Sequence, residues 1–266
     1  MPGTVVGCLR ENHTIMSSTA TDKPAHAGVL SLADDLDRPD RETLLAAVRE
    51  IARGPVTAQA ESVDRGFYPE EVLRQLGEVG AFRAHLAGLP GGPDYVTAIE
   101  ALAEVSKACA STGFVYWCQL ASTLFAERTP NAEAFHDTLL ELATGEALGG
   151  TGISNAMKSI GGLEENSLKA RPDGDGFIVD GLLPWVSNLG PDHYFGAMAV
   201  VDTPEGPKEV MFLANGEDPG VSFSRCPTFS GLEGTATLSV SFRGYRVPAR
   251  NVLAYPARPF VGHICS

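Results

Sequence analysis

Cationic charge is scarce in this 266-residue sequence: 20 Lys and Arg stand against 33 Asp and Glu, giving a net charge of −13. Affinity for nucleic acid comes largely from neutralising phosphates, so a chain this acidic is not expected to bind it. Paired cysteines are lacking too. The five cysteines, at 8, 109, 118, 226 and 265, show no CxxC spacing and are odd in number. That argues against a zinc ribbon or a disulfide framework and points to a reducing, cytoplasmic setting. The six histidines form no HExxH or comparable pair, so no metal is assigned. The first fifteen residues contain no signal-peptide core, and Glu11 suits a transit peptide poorly. Around 98–126 the apolar run is broken by Glu100, Glu104, Lys107 and Gln119, which excludes membrane insertion of a helix there. Neither a GxGxxG fingerprint nor a P-loop is present; Gly149-Gly150-Thr151-Gly152 lacks the spacing and, read alone, is a flexible turn between domains.

Apolar residues at 44% and charged residues at 20% are globular proportions. Residues 1–37 show no periodicity and read as a mobile leader, with Met16 as an alternative start. From Asp40, a plausible N-cap, Leu44, Leu45, Val48, Ile51 and Ala52 recur at helical spacing, and the helix is expected to run to about Ala60. Pro69-Glu70-Glu71 opens another helix that Gly80 closes. A buried helix over Ile99 to Cys109, a break at Ser111-Thr112-Gly113, a second apolar helix over Phe114 to Glu127, and a helix capped by Asn131 and closed by Gly145 complete an all-helical domain.

Beyond Gly145 the period turns strand-like. Leu168 to Arg171 and Phe177 to Val179 flank Asp173-Gly174-Asp175-Gly176, a hairpin signal; Tyr194 to Val201, Glu209 to Leu213, Val221 to Ser224 and Thr235 to Phe242 supply further strands. The expected fold class is α+β multidomain, an N-terminal all-α domain followed by an antiparallel β-barrel or sandwich.

Several segments, in order, resemble the acyl-CoA dehydrogenase family. Gly66-Phe67-Tyr68-Pro69-Glu70 with Leu76-Gly77-Glu78-Val79-Gly80 is similar to its early helical entry. Gly176-Phe177-Ile178-Val179-Asp180-Gly181 followed by Trp185-Val186-Ser187-Asn188 is similar to its "dGd.y.lnG.K.WitN" core, and Val247-Pro248-Ala249-Arg250-Asn251-Val252-Leu253 to its exit from the β-domain. The resemblance spans about residues 40 to 260. An isolated Trp-x-Ser is more often a core Trp and a turn Ser; the ordered set of motifs favours a site.

The resemblance implies a leader over 1–37, a helical domain over 38–145, a flavin-facing β-domain over 146–260, and the start of a further helical domain over 261–266. It implies FAD as cofactor. Trp185 would pack near the flavin ring and Ser187 would hydrogen-bond, as donor, the ring nitrogen that accepts hydride. Where the family reads TEPxxGSD, this chain has Ile153-Ser154-Asn155-Ala156-Met157-Lys158-Ser159. Gly152, Ile153, Ser154, Ser159 and Val186 join Trp185 and Ser187 as the candidate cofactor-binding set, while a plain loop over 153–159 stays open. The implied activity is α,β-dehydrogenation of an acyl-CoA in fatty acid metabolism, with a protein electron acceptor and a homo-oligomeric full-length form. No catalytic residue is assigned, because the family's base lies in the further helical domain. Two other expectations stand beside this one: a flavin-dependent monooxygenase of the same fold, motivated by Leu182-Leu183-Pro184 and the departure from TEP, and a non-catalytic assembly module.

Overall fold

The computed structural model describes residues 29–264. Most of the expected leader, with Cys8, Glu11 and Met16, lies outside the described residues, as does Cys265. Leu32 and Leu36, also within the expected leader, are buried, and Leu32 N–H donates to Gly88 O at 3.0 Å.

Helix α1 (Arg41–Ile51) starts where Asp40 accepts from Thr43 N–H at 3.0 Å, a side-chain cap for an otherwise orphaned donor. It continues through a π-helical stretch, Ala52–Val56, into α2 (Thr57–Asp64). Pro55 explains the widened stretch: its ring supplies no N–H and crowds the carbonyl one turn back. Helices α3 (Glu70–Glu78) and α4 (Tyr95–Ala108) follow. Next come α5 (Ala110–Arg128) and α6 (His136–Thr144), and left-handed Gly145 (φ 79°) ends the latter. Leu44, Val48, Leu73, Leu76, Val105 and Val115 fill the helical core.

Ser111-Thr112-Gly113 does not break the chain. The break falls at Cys109, whose φ of −153° is extended, and the three small residues lie inside α5. Their smallness serves packing: a Cβ on Gly113 would stand 2.1 Å from Ser106 Oγ on α4. Asn131 likewise does not cap α6; its Nδ2 donates to Ala249 O and Val252 O, tying the helical half to the end of the β-half.

The β-half comprises β1 (Gly149–Thr151), helix α7 (Ser154–Ile160), β2 (Leu168–Asp173), β3 (Gly176–Val186), β4 (Tyr194–Val201), β5 (Lys208–Asn215), β6 (Val221–Arg225), β7 (Leu238–Val247), β8 (Val252–Ala254) and helix α8 (Arg258–Ile264). The strands form one eight-stranded sheet in the order β6-β7-β3-β2-β4-β5-β8, with β1 alongside β4. The expected hairpin is present: β2 and β3 pair antiparallel around Gly174 (φ 64°). The expected α+β architecture is present, a helical domain followed by a β-domain whose strands pair mostly antiparallel. The sheet is open and mixed, because both β1 and β2 run parallel to β4. Local alternation reveals that a segment is a strand, whereas pairing direction depends on where distant segments meet.

The halves share a core. Phe125, Leu139 and Leu142 of the helices pack with Met198, Met211 and Leu253 of the sheet. Among the described residues no helix is long and apolar enough to cross a membrane.

His85 sits at the edge of this interior, its Nε2 3.0 Å from Thr123 Oγ1, and burial pushes its pKa from 6.5 down to about 4. Between those values the unfolded chain binds a proton that the folded chain refuses, so folding loses stability as pH falls through that window. The native protein should therefore lose stability relative to His85→Gln on acidification from pH 6.5 to about 4, read as the difference in urea midpoints. Parallel midpoints across that range would contradict the assignment.

Candidate flavin-facing cleft

The end of β3, the end of β1 and the start of α7 converge. Trp185 and Ser187 lie two residues apart with Val186 between them, so strand alternation sets the outer two on one face and the middle one on the other. Val186 is fully buried in the sheet core, while Trp185 remains 52% exposed. Ser187 forms an isolated bridge with Thr151 at the end of β1. Gly152 N–H then donates to Gly196 O at 2.7 Å, fixing the chain as it leaves β1.

A cavity of about 220 Å³ lies here, lined by Gly152, Ser154, Asn155, Lys158, Leu183 and Trp185, with Glu164 and Pro184 completing the wall. Asn155 is buried and acts as a clamp. Its Nδ2 donates to Glu164 Oε1 (2.7 Å) and Glu165 O (3.0 Å), and its Oδ1 accepts from Ser167 N–H (2.7 Å). Lys158 Nζ lies 3.5 Å from Glu164 Oε2, so the one carboxylate in the wall is already engaged on both oxygens.

Of the seven sequence-derived candidates, Gly152, Ser154 and Trp185 line this cavity; Ser187 does not, although it bridges Thr151, the residue before Gly152. Ile153 points elsewhere, into a separate apolar cavity of about 330 Å³ bounded by His85, Tyr95, Trp117, Leu120 and Leu124. Ser159 lies in α7 and is not part of the cavity wall. The segment 153–159 is mainly helical, because Ala156, Met157 and Ile160 pack on the shared core.

Sequence reasoning missed the residues that hold the cleft together. Asn188 takes left-handed φ (63°), accepts from Tyr68 OH at 2.6 Å and donates from Nδ2 to Gly149 O at 2.8 Å, joining the helical half, β1 and β3. Thr237 and Thr235 were also unforeseen. Ser187 Oγ is 2.7 Å from Thr237 Oγ1, which is 2.7 Å from Thr235 Oγ1. The available signal was the Asn following Ser187, since Asn tolerates left-handed backbone better than most residues.

Comparison with known proteins agrees with this architecture. Residues 38–146 match the family model for the acyl-CoA dehydrogenase N-terminal domain. A probable acyl-CoA dehydrogenase, YngJ, of Bacillus subtilis is 28% identical over 236 residues, covering 83% of this chain and 60% of that protein. Among solved structures, butyryl-CoA dehydrogenase from Megasphaera elsdenii superimposes with a TM-score of 0.71 at 20% identity, over 83% of this chain and 60% of that one. A glutaryl-CoA dehydrogenase from Mycobacterium smegmatis in complex with FADH2 gives 0.68 at 22% identity, over 82% and 56%. Residues 38–146 are thus similar to the N-terminal domain of acyl-CoA dehydrogenases, and the chain as a whole shares the fold of such enzymes. It spans about 60% of the length of the relatives it matches.

Proposed function

We propose that this chain is the flavin-facing part of an acyl-CoA dehydrogenase-type oxidoreductase, with FAD seated against the cleft at Trp185 and the reaction an α,β-dehydrogenation of an acyl-CoA thioester. The observation that carries the reading is the convergence of Gly152, Ser154 and Trp185 on one cavity. A large indole left half in water is an unfinished surface, suited to cover by a planar aromatic ring. The cavity is smaller than the about 300–1,000 Å³ usual for a whole ligand. Gly152, Ser154 and Trp185 would hold only part of the flavin there.

When bound, FAD supplies the two-electron acceptor for hydride from the substrate β-carbon. The protein's own contribution is positional. Trp185 would shield the flavin from water, and Ser154 offers a hydroxyl at the cavity wall. The Asn155–Glu164 clamp holds α7 against the start of β2 and so fixes the wall's shape. Glu164 is not assigned as the base: its oxygens are committed to Asn155 and Lys158, whereas a base needs reach to the substrate proton. No base is assigned among the described residues.

The proposed domain limits are those of the sequence reading, a helical domain at 38–145 and a β-domain at 146–260. Acyl-CoA substrate, a protein electron acceptor, a cytoplasmic setting in fatty acid metabolism and a homo-oligomeric full-length form complete the proposal. The purified chain is expected to take up FAD. In it, or in the longest natural form of the protein, anaerobic acyl-CoA should bleach the oxidised-flavin absorbance. FAD uptake without bleaching by acyl-CoAs of any chain length would overturn the dehydrogenase reading.

A further inference from the structure

Lys158 and Glu164 are the charged residues in the wall of the cavity beside Trp185, and they pair loosely. Lys158 Nζ lies 3.5 Å from Glu164 Oε2, with the two side chains 48% and 39% exposed. An ion pair so open to water contributes little to stability. Glu164 is held from its other side, because Oε1 accepts from buried Asn155 at 2.7 Å. The lysine is not fixed in this way: an ammonium donates up to three hydrogen bonds, and Glu164 takes one.

The helix places a second donor beside it. Ser154 and Lys158 stand four residues apart on α7, so they share a face, and both line the cavity. Ala156 and Ile160 turn to the opposite side and pack on the core that joins the two halves. An ammonium with donors to spare and a neighbouring hydroxyl suit an anion with several acceptor oxygens, and a phosphate is such a group. The chain as a whole repels an anion, at a net charge of −13, so the attraction has to come from this local cation.

We infer that Lys158, with Ser154 beside it, holds a phosphate group of a nucleotide ligand at the cleft, carried either by the flavin nucleotide or by CoA. The inference rests on the function proposed for this cavity and adds the residue that neutralises the ligand's charge. Glu164 then acts against binding: it competes for the ammonium and repels the phosphate, while Asn155 keeps it in place. Binding exchanges a solvent-screened pair with a carboxylate for a charge-assisted hydrogen bond to phosphate.

The test measures equilibrium binding of riboflavin, FMN, FAD and CoA to the native chain, Lys158→Met, Lys158→Arg and Glu164→Gln. Riboflavin carries the flavin ring without a phosphate, so it separates the ring from the charge. Lys158→Met should weaken the phosphorylated ligand about tenfold and leave riboflavin unchanged, while Lys158→Arg stays within about twofold of native. Glu164→Gln, which still accepts from Asn155, should tighten binding about threefold. Added salt should weaken binding by the native chain more than by Lys158→Met. Loss confined to FMN and FAD assigns the phosphate to the flavin, and loss confined to CoA assigns it to the thioester carrier. Riboflavin weakened as much as FMN, or no ligand affected by Lys158→Met, overturns the inference. The two readings fail separately. Equal native affinity for riboflavin, FMN and FAD, without CoA binding, keeps the flavin site and removes the phosphate contact. CoA binding lost in Lys158→Met, by a chain that takes up no flavin, keeps the contact and ends the flavin reading.

Discussion

Replacing Gln119 by leucine is expected to cost about 3–5 kcal/mol of stability, from the loss of up to three buried hydrogen bonds at about 1–3 kcal/mol for each group left unsatisfied. Gln119 is fully buried in α5; its Nε2 donates to Leu142 O (2.9 Å) and Ala147 O (3.1 Å), and its Oε1 accepts from Gly149 N–H (2.7 Å). One side chain thus fastens α5, the end of α6 and β1. Leucine fills similar volume without satisfying any of the three backbone groups, so the penalty isolates polarity from packing. Since a whole domain is stable by only about 5–15 kcal/mol, the variant should be largely unfolded at modest urea concentrations where the native chain is folded. A shift in stability below about 1 kcal/mol would show that β1 is held by packing instead.

Gly150→Ala should be nearly as damaging, and it reaches the cleft directly. A Cβ at this position would stand 2.3 Å from Ser187 O and 3.0 Å from Asn188 O, both backbone atoms of the segment carrying the candidate hydroxyl. Neither side can retreat: β1 is paired to β4 at Gly150↔Phe195, and the Ser187 segment is clasped by Thr235 and Ala236. Overpacking of this kind costs about 1–3 kcal/mol or more, and the displaced Ser187 should weaken FAD binding at least about tenfold. Gly262→Ala is the control. Nothing lies within 4 Å of a Cβ there and the residue is exposed in helix α8, so a gain of about 0.5–1 kcal/mol is expected. Equal effects of the two substitutions in urea unfolding would contradict the close approach.

These glycines show where the sequence was legible and where it was not. Gly145 and Gly174 mark a helix end and a hairpin turn, and both were readable because local backbone conformation demands them. Gly113, Gly149 and Gly150 looked like breaks or flexible turns, yet each lets two segments touch, α4 with α5, and β1 with α5 and with the residues that follow β3. Nothing local distinguishes these two uses. Similarly, the strand over 194–201 was apparent from composition, whereas its parallel pairing with β1 and β2 is a property of the whole chain.

At the site, Trp185, Ser154 and Gly152 were found through motif order, and the structure brings them to one cavity. Val186 and Ile153 were named with them because a motif is contiguous. A strand or turn nonetheless sends neighbouring side chains to opposite sides, and these two face the interior. The supporting residues, Asn188 from Trp185's own segment and Thr235 and Thr237 from the loop before β7, contribute through hydrogen bonds between segments up to 120 residues apart, beyond any local signal.

The central claim is that the indole at 185 borders a flavin. Titrating FAD with the native chain and with Trp185→Leu, followed by flavin fluorescence, tests it most directly. The account predicts saturable quenching by the native chain and an affinity weakened about tenfold in the variant, the scale of losing one aromatic contact and its buried area. Equal affinity in both proteins, or no quenching by either, would contradict it.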